Sequence, residues 1–274
     1  MVLSINGLGS QVALSFIDAT KDRQMQTLRN EPRNERAAEA FRERIANITT
    51  PEEFVQDYEV YSFVMRAFDL EDQIFGRGMI RKVLESDPSD DTSLVNRLTD
   101  ANLREIHDAL GFTTAEGPQV PDFSDPAWQE SIVNKFYETQ FLNENADQNA
   151  TVGTVLELRA KVEGLDSWVK VLADREIAQF FRTALGLPDS MATLDIEQQE
   201  RIFAERYDLA DLTKPGEVDR MISRYVAISD ALNPPQFASS SAAVSLLSNS
   251  VGGQFVPITI DIPAITRLNT SIYR

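Results

Sequence analysis

Residues 57–70 read DYEVYSFVMRAFDL, and residues 174–187 read DREIAQFFRTALGL. Across these windows Asp57/Asp174, Glu59/Glu176, Phe63/Phe180, Ala67/Ala184 and Leu70/Leu187 are identical, while Val60/Ile177, Val64/Phe181 and Phe68/Leu185 are apolar in both. The matches fall at the three- and four-residue spacing at which a helix buries one face. A shorter echo, Ala109-Leu110-Gly111-Phe112, repeats the closing Ala-Leu-Gly-Leu of the second window. The pattern predicts an all-α scaffold assembled from one helical idea used more than once.

Working outward, residues 34–48 place Ala37, Ala38, Phe41, Ile45 and Ile48 on one helical stripe. Thr50-Pro51-Glu52-Glu53 then supplies an N-cap, a proline at the first helical position and a glutamate at the third. Residues 113–126 hold Gly117, Pro118, Pro121 and Pro126 among polar residues and read as a connector. The expected organisation is an N-terminal arm over 1–33 and a helical domain over 34–232, whose halves run about 34–117 and 127–232. A Ser- and Pro-containing tail follows over 233–274. The expected fold is a multi-helix bundle of two pseudo-repeated halves, with Phe63, Val64, Ala67, Phe180, Phe181 and Ala184 forming a central seam where the apolar stripes meet. Asp57 and Asp174 are expected to cap their helices, to pair with arginines of the opposite half, or to stand at the surface. In the tail, Val256, Ile258, Ile260 and Ile262 alternate with other residues at strand period. Pro257 and Pro263 restrict that stretch to an edge or extended conformation, either in a groove of its own domain or added to a partner's sheet.

Charge and composition narrow the function. The chain has 43 acidic against 26 basic residues, a formal charge of -17, which repels phosphate backbones and anionic lipid surfaces. Nucleic acid is excluded as an expected partner. The basic residues between Lys21 and Arg44 are interleaved with acids, as on a solvated, salt-bridged helix face. No cysteine is present, so disulfides, thiolate metal sites and cysteine nucleophiles are excluded. The first twenty residues lack a basic start and a continuous apolar core, and no apolar run reaches membrane-spanning length. The expectation is a soluble, cytoplasmic protein without membrane insertion.

Catalytic motifs are sparse. The one histidine, His107, lacks the Glu-x-x-His or His-x-x-x-His spacing of a metal pair and is expected on a helix surface. The acidic run at 87–91 has neither the sixth-position glycine nor the twelfth-position glutamate of a calcium loop. Gly7-Leu8-Gly9 lacks the third glycine of a dinucleotide fingerprint, and no Gly-x-Ser-x-Gly elbow occurs. No spacing selects two of the many carboxylates as an acid–base pair. The residues name no catalytic group, cofactor or metal, leaving a hydrolase built on an unrecognised carboxylate pair as the remaining enzymatic reading.

Residues 59–72 (EVYSFVMRAFDLED), 80–88 (IRKVLESDP), Val95-Asn96-Arg97-Leu98 and 109–112, together with 172–174, 182–188 and Leu194-Asp195-Ile196, resemble the bacterial domain-of-unknown-function family numbered 1217. The resemblance covers roughly 50–231. That family is mainly alphaproteobacterial and is often encoded among flagellar genes. It has no established activity, so no catalytic residue is carried over. The resemblance implies a non-enzymatic accessory in flagellar assembly or basal-body structure, with flagellar proteins as partners. Its place would be the cytoplasm or, after signal-independent export, the flagellum. Self-association is left open. The alternative is a small-molecule or regulatory binding module with a pocket between the two halves.

Overall fold

The computed structural model describes residues 2–98, 100–114, 117 and 119–233. Val256, Ile258, Ile260 and Ile262 therefore lie outside the described residues. Among those described, thirteen α-helices occur and no strand. In chain order they are α1 (Ser10–Arg29), α2 (Pro32–Ile45), α3 (Pro51–Gln56), α4 (Tyr58–Ala67), α5 (Arg77–Leu84), α6 (Leu94–Arg97) and α7 (Ala101–Leu110). Then follow α8 (Pro126–Ala146), α9 (Ala150–Lys161), α10 (Trp168–Ala173), α11 (Arg175–Leu185), α12 (Ile196–Arg206) and α13 (Glu217–Leu232).

The local chemistry of the two signature helices is the same in both halves. Thr50 accepts the Glu53 N–H to start α3, with Pro51 at the first helical position, and Glu53 reaches back to the Thr49 N–H. Ser167 starts α10 by accepting from Lys170. Asp57 accepts from the Val60 N–H, and Asp174 from the N–H groups of Glu176 and Ile177, so both aspartates are N-caps. Each helix ends on a left-handed residue, Asp69 at φ 55° and Gly186 at φ 67°. The next amide then closes back on the helix, from Leu70 N to Met65 O and from Leu187 N to Arg182 O, both at 2.8 Å. Asp69 is the one non-glycine with positive φ among the described residues, a conformation that short polar side chains tolerate best after glycine.

A shift of 117 positions (51 to 168) carries α3 onto α10, and the same shift carries α4 onto α11, α2 onto α9 and α1 onto α8. The first half therefore begins at Ser10, and the expected N-terminal arm is a helix of the repeat. Helix α1 buries Ala13, Leu14, Ile17 and Leu28, with Gln24 continuing the stripe. Polar residues 20–24 interrupt that stripe in sequence, which is why periodicity alone does not reveal it. Buried Gln24 satisfies its amide with Leu3 N and Thr20 Oγ1. The start of α1 is tied down by Asp230 of α13, whose carboxylate accepts from Ser10 N at 2.9 Å, while Asn149 donates to Ser10 Oγ at 3.1 Å.

Phe63, Val64, Ala67, Phe180, Phe181 and Ala184 are all buried. They do not, however, form one central seam. Helix α4 packs on α2 and α8, and α11 packs on α9, α10 and α13. Phe63 stacks between Phe41 and Phe136, at centroid distances of 4.7 and 4.4 Å. Phe180 meets Phe181 at 5.3 Å and Tyr225 at 4.7 Å. Among the described residues no ring contact joins these two aromatic networks. The reason is topological: α8, the first helix of the second half, supplies Trp128, Phe136 and Tyr137 to the network of the first half. The halves thus join through α1, α8 and α9, and the signature stripes do not meet face to face.

Candidate functional site

A cavity of about 840 Å³ opens over the start of α11. Its wall is drawn from both halves: Asp69 and residues 100–102 come from the first, and α9 to α12 with the turn around Asp189 supply the rest. No helix of the described residues is long and apolar enough to cross a membrane.

Two charge arrangements define this wall. In the first, Lys161 of α9 lies 2.7 Å from Glu157 and 2.6 Å from Asp174, joining the end of α9 to the N-cap of α11. Burial pushes the Lys161 ammonium down, but the charges and hydrogen bonds of Glu157 and Asp174 outweigh it and hold the group above its ordinary range. Burial pushes Glu157 up, with Lys161 opposing.

The second arrangement is unbalanced. Arg182 of α11 is 8% exposed, its Nε is buried without a hydrogen-bond partner, and no carboxylate of the described residues comes within ion-pair distance. Burial lowers its pKa; Asp189 opposes this from a distance, and Arg175 adds to it. A guanidinium whose Nε is buried without a hydrogen-bond partner carries a desolvation cost that an apolar side chain at the same place would not.

The site residues expected from the sequence lie elsewhere. The six core residues are buried and none of them lines the cavity, and the four strand positions lie outside the described residues. His107 is not on the surface. It is 1% exposed, with Nε2 3.0 Å from Ser86 O and Nδ1 3.0 Å from Asp108. It sits beside Leu103, Ile106 and Leu110 on the buried face of α7, where α5 packs, and fastens the turn after α5 to that face. Asp57 and Asp174 pair with a cation of their own half, Arg44 on α2 and Lys161 on α9, and among the described residues with no arginine across the repeat. Arg182 escapes motif reading, because a lone arginine in a helix carries no signal. Its signal is in the alignment of the repeat, where it stands opposite Met65 on an otherwise apolar stripe.

The family described as "Protein of unknown function (DUF1217)" matches residues 67–218, more than half of the chain. The chain belongs to this family. Every residue of the cavity wall falls inside the matched span. A crystal structure of an Agrobacterium tumefaciens protein from a structural genomics programme is similar over 85% of this chain and 98% of that one, with a TM-score of 0.71 and 24% identity. That likeness extends the DUF1217 fold to a solved structure and speaks to the fold alone. No curated protein matches the chain.

Proposed function

We propose that this DUF1217 protein is a non-enzymatic, protein-binding accessory of the bacterial flagellar system, acting in assembly or basal-body structure. The observation that carries the binding part is Phe75, which is 97% exposed in the turn before α5. A phenyl ring held in water gains nothing from folding, and an interface that buries it recovers its hydrophobic free energy. Close by in the chain, Tyr58 and Met79 are also exposed, and Arg77 lies over the rings of Tyr58 and Tyr61. Aromatic, Met and Arg groups of this kind are enriched at the centres of protein interfaces. The charge of -17 suits a partner with a neutral or basic face. The flagellar assignment rests on the family resemblance, and the protein's place would be the cytoplasm or, by signal-independent export, the flagellum.

The test is co-purification of the tagged chain from a flagellated host, together with swimming of a deletion strain. A flagellar protein retained by the native chain and lost from Phe75→Ser, with impaired swimming of the deletion strain, supports the proposal. Normal swimming and no retained flagellar partner overturn it. A second reading, a small-molecule or regulatory binding module, is favoured by the cavity of about 840 Å³ walled by both halves.

A further inference from the structure

The 117-residue repeat gives each core position of one half a counterpart in the other. Met65 of α4 is fully buried, as the apolar stripe requires, and its counterpart on α11 is Arg182. Nothing in helix packing demands a guanidinium there, since the other half fills the position with a thioether. Arg182 nevertheless stays nine-tenths buried, with Nε unpartnered, and lines the cavity. A largely buried guanidinium with an unpartnered Nε, facing an open cavity where the other half accepts a thioether, has the signature of a binding residue.

The rest of the wall restricts what Arg182 can hold. Six carboxylates line the cavity against the three cations Lys161, Arg175 and Arg182. Lys161 is already committed to Glu157 and Asp174. Asp69, Asp100 and Glu176 accept hydrogen bonds from neutral donors, namely Asn143, Gln73 and Thr154, and with Asp189 they have no cation in ion-pair reach among the described residues. A phosphate or other polyanion would meet this excess of negative charge. A ligand with one carboxylate and one separated cationic group would satisfy both the lone guanidinium and the uncompensated acids.

We infer that the cavity binds a small zwitterion, with Arg182 receiving its carboxylate and the uncompensated acids of the wall receiving its cationic end. This deepens the second reading above and is independent of the Phe75 surface. The same chemistry is offered by a free basic amino acid and by a peptide ending in one.

Isothermal titration calorimetry of the full chain tests the inference. The probes are 6-aminohexanoate, hexanoate, hexylamine, inorganic phosphate, L-lysine and the tripeptide Ala-Ala-Lys. The zwitterions are expected to bind saturably and at least about tenfold more tightly than hexanoate, hexylamine or phosphate. The tighter of L-lysine and Ala-Ala-Lys then assigns the source. Arg182→Met, which installs the residue of the first half, should abolish this binding while leaving the melting temperature unchanged or higher. Arg182→Gln provides a polar control should the methionine variant fail to fold, and it too should lose binding. Absence of saturable zwitterion binding at millimolar concentration, tighter binding of phosphate, or unchanged affinity in both variants overturns the inference. Phe75→Ser should bind the zwitterions normally, so loss of the protein partner and loss of the ligand are separately readable.

Discussion

Lys161 Nζ stands 2.6 Å from Oδ2 of Asp174, thirteen residues further along the chain. Arg44 and Asp57 repeat this relationship, with the same thirteen-residue separation and a distance of 2.7 Å. In each case the aspartate also caps a signature helix, so one carboxylate fixes both the start of that helix and its angle to the helix two elements earlier.

Asp57→Ala removes the cap and the pair together and should cost roughly 1–2 kcal/mol, whereas Asp57→Asn keeps a capping oxygen and should cost less. Burial pushes the Asp57 carboxyl up, but the bonds from Arg44 and the Val60 N–H, with the Arg44 charge, bring it below its ordinary value. A carboxyl depressed in the folded state contributes stability above its unfolded pKa and loses it as the pH falls through the folded value. Melting temperatures taken from neutral pH down through about pH 4 to 2 should therefore fall less steeply in Asp57→Asn than in the native protein. Parallel curves would remove Asp57 from the acid response.

Phe63→Ala and Phe180→Ala should each cost about 3–5 kcal/mol, since both rings are buried against other aromatics. Because the two rings belong to separate networks, the double variant should lose the sum of the single losses to within roughly 0.5 kcal/mol in denaturant titrations. A coupling well above about 1 kcal/mol would mean that the signature helices share one core after all.

Gly153 lets α9 pass close against the end of α8. A Cβ placed there would lie 2.4 Å from the Ala146 Cβ and 2.8 Å from its Cα. Gly153→Ala should destabilise by about 1–3 kcal/mol through overpacking. Adding Ala146→Gly should recover part of that loss; an equal midpoint for the single and double variants would show that the contact is not the cause.

Tyr61 is fully buried, and its hydroxyl has no hydrogen-bond partner among the described residues. Burial raises its pKa to about 12, against the opposing charge of Arg77. Tyr61→Phe keeps the edge-on contact with Phe54, 5.7 Å between centroids, and removes an unsatisfied polar atom. It should be neutral or stabilising by about 1 kcal/mol. A clear loss of stability would reveal a partner for the hydroxyl.

How far the sequence could be read varies by element. The signature helices were legible because propensity, caps and the apolar stripe agree over 57–70 and 174–187. Helix α1 was not, because residues 20–24 interrupt its stripe and Gln24 is buried through hydrogen bonds that only a fold can provide. The burial of His107 escapes the sequence for a related reason: it depends on the Ser86 carbonyl, 21 residues earlier, arriving beside it. The cavity was half legible. The alternative of a pocket between halves could be stated from the repeat, but no spacing rule singles out Arg182.

The sequence by itself determined the all-helical class and the repeated helix pair, because these depend on interactions within a few residues of one another. Only the tertiary structure decided that α8 crosses into the first half's core, that the two aromatic networks stay apart, and that Arg182 faces a cavity without an ion-pair partner among the described residues. Those outcomes depend on how side chains far apart in the chain exclude water together, and local pattern carries no record of which surfaces will meet.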